Sequence, residues 1–131
     1  MIKRYLIIFA VFLVIDAAWL GLVATKFYKN NIGHLMADKV NFIPAAIFYC
    51  LYVLAILVFI VNPFADSGNL IKGLLVGSFL GLVMYATYDL TNMATLKNWP
   101  TIVTVVDLIW GAFVTGITSG ISIKLIEVFG L

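Results

Sequence analysis

Three aspartates stand where an apolar environment is expected. Of the six acidic residues in the chain, Asp16, Asp89 and Asp107 fall inside long apolar segments. An aspartate near the centre of a membrane helix costs about 2.5–3.5 kcal/mol on insertion scales. An ordinary buried ion pair is not available to offset that cost. No Lys or Arg lies within the core of any apolar segment, and the nearest, Lys72, sits at the far end of the third. Each carboxyl must therefore be protonated, hydrogen-bonded by tyrosine, tryptophan, asparagine or water, or paired with a cation.

Spacing brings the three acids to one level. Asp16 lies ten residues before Lys26, Asp89 eight before Lys97, and Asp107 seven after Pro100. At a helical rise of about 1.5 Å per residue, they sit roughly 15, 12 and 11 Å from the same membrane face. Their helical neighbours are polar or aromatic as well. Tyr85, Tyr88, Asp89 and Asn92 share one face; Thr104, Asp107, Gly111, Thr115, Thr118 and Ser122 form a small, polar stripe; Tyr49 pairs with Tyr52. Asp16 with Trp19 and Asp107 with Trp110 repeat an Asp-x-x-Trp pattern, which would set the two acids opposite each other in antiparallel helices. Polar faces in lipid turn towards a cavity or a partner helix.

Three kinds of chemistry suit this set. A polar pocket with excess negative charge, walled by Trp19, Tyr49, Tyr52, Tyr85, Tyr88 and Trp110, would bind a proton, a cation or a hydroxylated small molecule; this is the preferred reading. Paired carboxylates could instead do acid–base work in a membrane-embedded enzyme acting on a lipid or other apolar substrate. Alternatively, the polar groups hold the helices in register as interhelical glue in a structural or accessory subunit, each worth about 0.6 kcal/mol. No His-rich metal motif, Ser–His constellation or Gly-rich phosphate loop is present, so no metal site is expected and no cofactor follows from the residues. Cys50, the single cysteine, excludes an intrachain disulfide and reads as a small hydrophobe at a helix contact.

The elements that must position these residues are four membrane-spanning helices, at about 5–25, 43–61, 70–96 and 101–123, in a single all-α bundle over 1–131. Of the 131 residues, 64% are hydrophobic and 11% charged, against about 45–50% and about 25% in soluble domains. A water-soluble chain of this size could not bury that much apolar surface. Each segment can cross a hydrocarbon core about 30 Å thick. A net charge of +2 with no basic run beyond Lys3-Arg4 argues against nucleic acid; the bilayer is the expected partner, and four helices per transporter chain would favour a homodimer. Gly73, Gly77 and Gly81 permit close helix approach.

Turn chemistry joins the spans. A polar hairpin covers 62–69 and a tighter one 97–100, where Pro100 suits the first turn of a new helix. The longer connection 26–42 mixes Tyr28, Ile32 and Met36 with Lys26, Lys29, His34 and Asp38, and is expected to lie at the membrane surface, apolar side down. The first segment is too long for the core of a signal peptide and is interrupted by Asp16 and Trp19, so it is expected to be retained. Lys and Arg are evenly divided between the two sides, four each. Lys3-Arg4 beside the first helix breaks the tie in favour of cytoplasmic termini.

The assembled motifs resemble a known family. They are Asp16-Ala-Ala-Trp19-Leu-Gly21, Gly33-His34-Leu35, Pro44-Ala45 with Phe48-Tyr49, Tyr85-Ala-Thr-Tyr-Asp-Leu-Thr-Asn92-Met-Ala-Thr-Leu96 with Trp99-Pro100, and Asp107-Leu-Ile-Trp110-Gly111. Together they are similar to small bacterial membrane proteins catalogued as domain of unknown function 2177, over essentially the whole chain. The resemblance implies four helices in a bacterial inner membrane and no reaction. It matches the family pattern at Asp16, His34, Asp89, Asn92 and Asp107, and implies that the loop carrying His34 folds over the acids.

Overall fold

The computed structural model describes residues 1–131 and contains helices and no strands. Four helices are long and apolar enough to cross a membrane: the first Ile2–Leu35, the second Phe42–Asp66, the third Leu70–Thr95 and the fourth Thr101–Phe129. Local chemistry fixes their ends. Asn41 Oδ1 accepts from the Ile43 N–H at 3.2 Å, and Asn69 Oδ1 from the Lys72 N–H at 3.1 Å, each satisfying an orphan donor of the helix it opens. The fourth helix stops at Gly130, whose φ of 65° suits the left-handed cap, with the Leu131 N–H returning to the Ile126 carbonyl at 2.9 Å.

Three boundaries differ from those read in the sequence. The chain stays helical through Ile32 and turns at Gly33–Leu35, within the stretch 26–42 expected at the surface. Lys26 and Lys29 point outward there while Tyr28 and Ile32 are half-buried, so an amphipathic face carries the helix past the apolar segment. The second helix continues to Asp66 through Pro63, well into the predicted hairpin. It does so because the preceding turn, Leu57–Val61, is widened: the Asn62 N–H reaches back five residues to the Leu57 carbonyl, which leaves room for the proline ring. The fourth helix runs past Ile123 to Phe129, aided by a Lys124–Glu127 pair at 3.0 Å one turn from its end.

The third and fourth helices pack most closely. A Cβ on Gly77 would lie 2.6 Å from Ser119 Oγ, and one on Gly81 would overlap the Gly111 carbonyl oxygen and Thr115. The first helix lies against the fourth, and the second against the first. An apolar core that includes Ile8, Phe12, Val53, Ile56, Val114 and Ile123 fills the half of the bundle nearest the termini. At that end Arg4 is a clamp. Its guanidinium donates to Asn62 Oδ1 at 2.9 Å, to Asp66 Oδ1 at 2.6 Å and to the Leu131 carbonyl at 3.2 Å.

Candidate functional site

The close third–fourth hairpin decides where two of the acids go. Gly81, Tyr85 and Asp89 follow one another at four-residue intervals, and Thr115, Gly111 and Asp107 do so in reverse on the antiparallel neighbour. With the Gly81 and Gly111 backbones in contact and Gly111 also against the Tyr85 ring, Asp89 is brought to face Asp107. Asp89 is 0% exposed and Asp107 4%. Neither Asp89 oxygen has a hydrogen-bond donor within the protein. Two ionised carboxylates are both acceptors, so their contact becomes a hydrogen bond only when one of them carries a proton.

The first helix supplies the next layer. Asp16, 7% exposed, accepts from Tyr49 Oη of the second helix at 2.7 Å. Trp19 stacks on Trp110 with centroids 4.3 Å apart and planes within 9°, so the two Asp-x-x-Trp segments meet through their indoles. Beyond Trp19 the helix widens over Leu20–Ala24. The Thr25 N–H donates to the Leu20 carbonyl, five residues back, and Thr25 Oγ1 donates to the same oxygen at 2.9 Å. One turn further on, Tyr28 Oη donates to Asp107 Oδ1. Tyr52 Oη and Thr115 Oγ1 share a hydrogen bond of 2.6 Å below this layer.

A groove of about 490 Å³ opens beside the Tyr28–Asp107 pair. Ile32, Met36, Phe48, Met84, Tyr85 and Tyr88 complete its wall, so all four helices or their immediate continuations contribute. It exists because the second helix meets the third mainly through the widened turn Leu57–Val61 and the stretch Asn62–Asp66, leaving their other halves apart. Phe48 and Tyr88, 48% and 58% exposed, mark the open side. The volume is that of a small-molecule site, about 300–1,000 Å³, and an apolar wall with one carboxyl–phenol pair matches the usual make-up of such sites.

The residues singled out in the sequence are thus distributed unevenly. Asp107, Tyr85 and Tyr88 line the groove, and Asp89 stands behind Asp107. Asp16 and Tyr49 bond each other, and Trp19 and Trp110 stack. Asn92 is half-buried one turn beyond Tyr88. His34 is exposed in the Gly33–Leu35 turn, and it is Tyr28, not His34, that reaches the acids from this part of the chain. Tyr28, Ile32, Met36, Phe48 and Met84 were not among the sequence candidates. Four of them are apolar and carry no chemical signal, and Tyr28 falls out of phase with Asp16 on a regular helix.

A family described as "Predicted membrane protein (DUF2177)" matches residues 1–124. No curated protein and no solved structure matches the chain.

Proposed function

We propose that this chain, which belongs to the DUF2177 family of predicted membrane proteins, binds a small amphipathic molecule in the groove beside Asp107. The apolar part of the ligand lies against Ile32, Met36, Phe48 and Met84, and its polar head meets the Tyr28–Asp107 pair. The observation that carries this reading is a single buried carboxyl in the wall of an otherwise largely apolar groove that is open to the surface at Phe48 and Tyr88. Lipid-facing entry would admit a molecule already dissolved in the bilayer. Asp16 falls outside this role: its hydrogen bond to Tyr49 supports the interhelical-glue reading for that acid.

Filling the groove tests the proposal. Met84→Trp should remove most of the small molecule that co-purifies with the wild-type protein, read by mass spectrometry of protein extracted from native membrane. Phe48→Trp narrows the same space from the opposite helix and gives a second route should Met84→Trp fold poorly. Equal retention of one compound by the wild type and both folded variants would rule out the groove as the binding place.

The setting proposed for this activity is a bacterial inner membrane with both termini in the cytoplasm. Lys3 and Arg4, in the first turn of the first helix, support that orientation, and it puts the groove in the outer leaflet. An alkaline phosphatase fused after Leu131 is expected to be inactive, since the enzyme matures only outside the cytoplasm; an active fusion would reverse the orientation.

A further inference from the structure

Resting on the groove reading, we propose that Asp89 and Asp107 hold one proton between them, so that the site presents a single negative charge and takes a monocationic amphiphile, an alkyl chain with an ammonium head. Asp89 is fully buried, and neither of its oxygens meets a donor from the protein. Its neighbour across the hairpin is Asp107, an acceptor when ionised. Two ionised carboxylates facing each other would be costly to hold in a low-dielectric interior. One proton between them resolves both faults: Asp89 gains a partner, and the remaining charge rests on Asp107, where Tyr28 also donates.

The groups around the pair do not cancel that charge. From the first helix comes Tyr28, with Asp16 further off beyond Tyr85; from the third come Tyr85 and Tyr88. All are neutral or anionic. Lys26, Lys29, His34, Lys39 and Lys97, the basic residues at this end of the bundle, are all exposed. A ligand is therefore the remaining source of positive charge. An ammonium donates three hydrogen bonds and would find the Asp107 carboxylate at the groove wall beside the Tyr85 and Tyr88 rings, which attract a cation over their faces. A neutral alcohol of the same chain length would gain the apolar contacts and lose the charge term. Asp89 in this scheme is a positioning residue, acting on the ligand only through Asp107. The proton stays between the carboxyls throughout, and no bond is made or broken.

The test compares tetradecylammonium with tetradecanol bound to the protein in phosphatidylcholine nanodiscs, read as bound stoichiometry by native mass spectrometry. The wild type should prefer the ammonium by about tenfold, the gap between a charge-assisted and a neutral hydrogen bond. Asp89→Asn keeps a neutral donor beside Asp107 and should keep the preference. Asp89→Leu removes the donor and should weaken it, and Asp107→Asn should abolish it. A wild type that binds both compounds equally would overturn the cation site while leaving the groove in place. Loss of preference in Asp89→Asn as complete as in Asp107→Asn would show that Asp89 must itself be ionised, and would overturn the shared proton. Failure of both compounds to bind would refute the groove reading as well. If Asp89→Leu does not fold, Asp89→Asn alone decides between these outcomes.

Discussion

Gly81→Ala is expected to destabilise the bundle sharply, and Gly21→Ala, the same change sixty residues earlier, to leave it as stable or more so. Alanine is favoured over glycine inside a helix by about 1 kcal/mol, so propensity alone predicts a gain at both positions. Packing reverses the sign at one of them. A Cβ at Gly81 would overlap the backbone carbonyl oxygen of Gly111 and the Thr115 side chain. A backbone oxygen cannot rotate away, so the third and fourth helices must separate. Overpacking of this kind costs about 1–3 kcal/mol and occasionally more; contact with backbone puts Gly81 at the upper end. A Cβ at Gly21 meets nothing within 4 Å. Thermal unfolding in mild detergent should therefore move down for Gly81→Ala and stay level or rise for Gly21→Ala. If both variants unfold like the wild type, the close packing of the third and fourth helices is not what holds the bundle. The consequence reaches the site, because Tyr85 and Asp89 lie one and two turns beyond Gly81, and the same separation would part Asp89 from Asp107.

The elements recoverable from sequence are those whose signal is periodic. Hydropathy marks the four spans, and the four-residue rhythm of Gly81, Tyr85 and Asp89 and of Asp107, Gly111 and Thr115 marks two faces that meet in the structure. What separates the three acids is not visible in their spacing. Asp16 and Asp89 both sit within long apolar segments, yet Tyr49 donates to the first and no group of the protein donates to the second. That difference is set by how the second helix leans: against the first along much of its length, and against the third mainly towards its end. The same lean creates the groove; Tyr85, Tyr88 and Asp107 in its wall are legible from their helical face, whereas Ile32, Met36, Phe48 and Met84 carry no signature a sequence could offer. Helix ends were obscured for a related reason. Lys26 and Lys29 look like the start of a connection, but a solvated face is compatible with another two turns of helix.

The widened turn at Leu20–Ala24 explains why the position of Tyr28 is not legible in the sequence and gives the sharpest test of the groove's construction. Tyr28 follows Asp16 by twelve residues. On a regular helix that is about 3.3 turns, which would leave Tyr28 about 120° away from the Asp16 face. A turn closed by a hydrogen bond to the fifth residue back absorbs about one extra residue. The pair then behaves as if eleven apart, about three whole turns, and Tyr28 faces inward to donate to Asp107. Two changes that look alike should accordingly differ. Deleting Leu22, which is 84% exposed, removes the surplus residue and lets the turn close regularly, with Tyr28 still inward. Inserting one alanine after Leu22 adds a second surplus, turning the helix from Thr25 to Ile32 by about 100° and pointing Tyr28 away from Asp107. The deletion is expected to keep the co-purifying ligand, and the insertion to lose it to the extent that Tyr28→Phe does or further, with Ile32 displaced from the groove as well. The opposite ranking would mean that the widened turn does not set the register of Tyr28. Retention by the insertion would mean that the first helix does not close the groove.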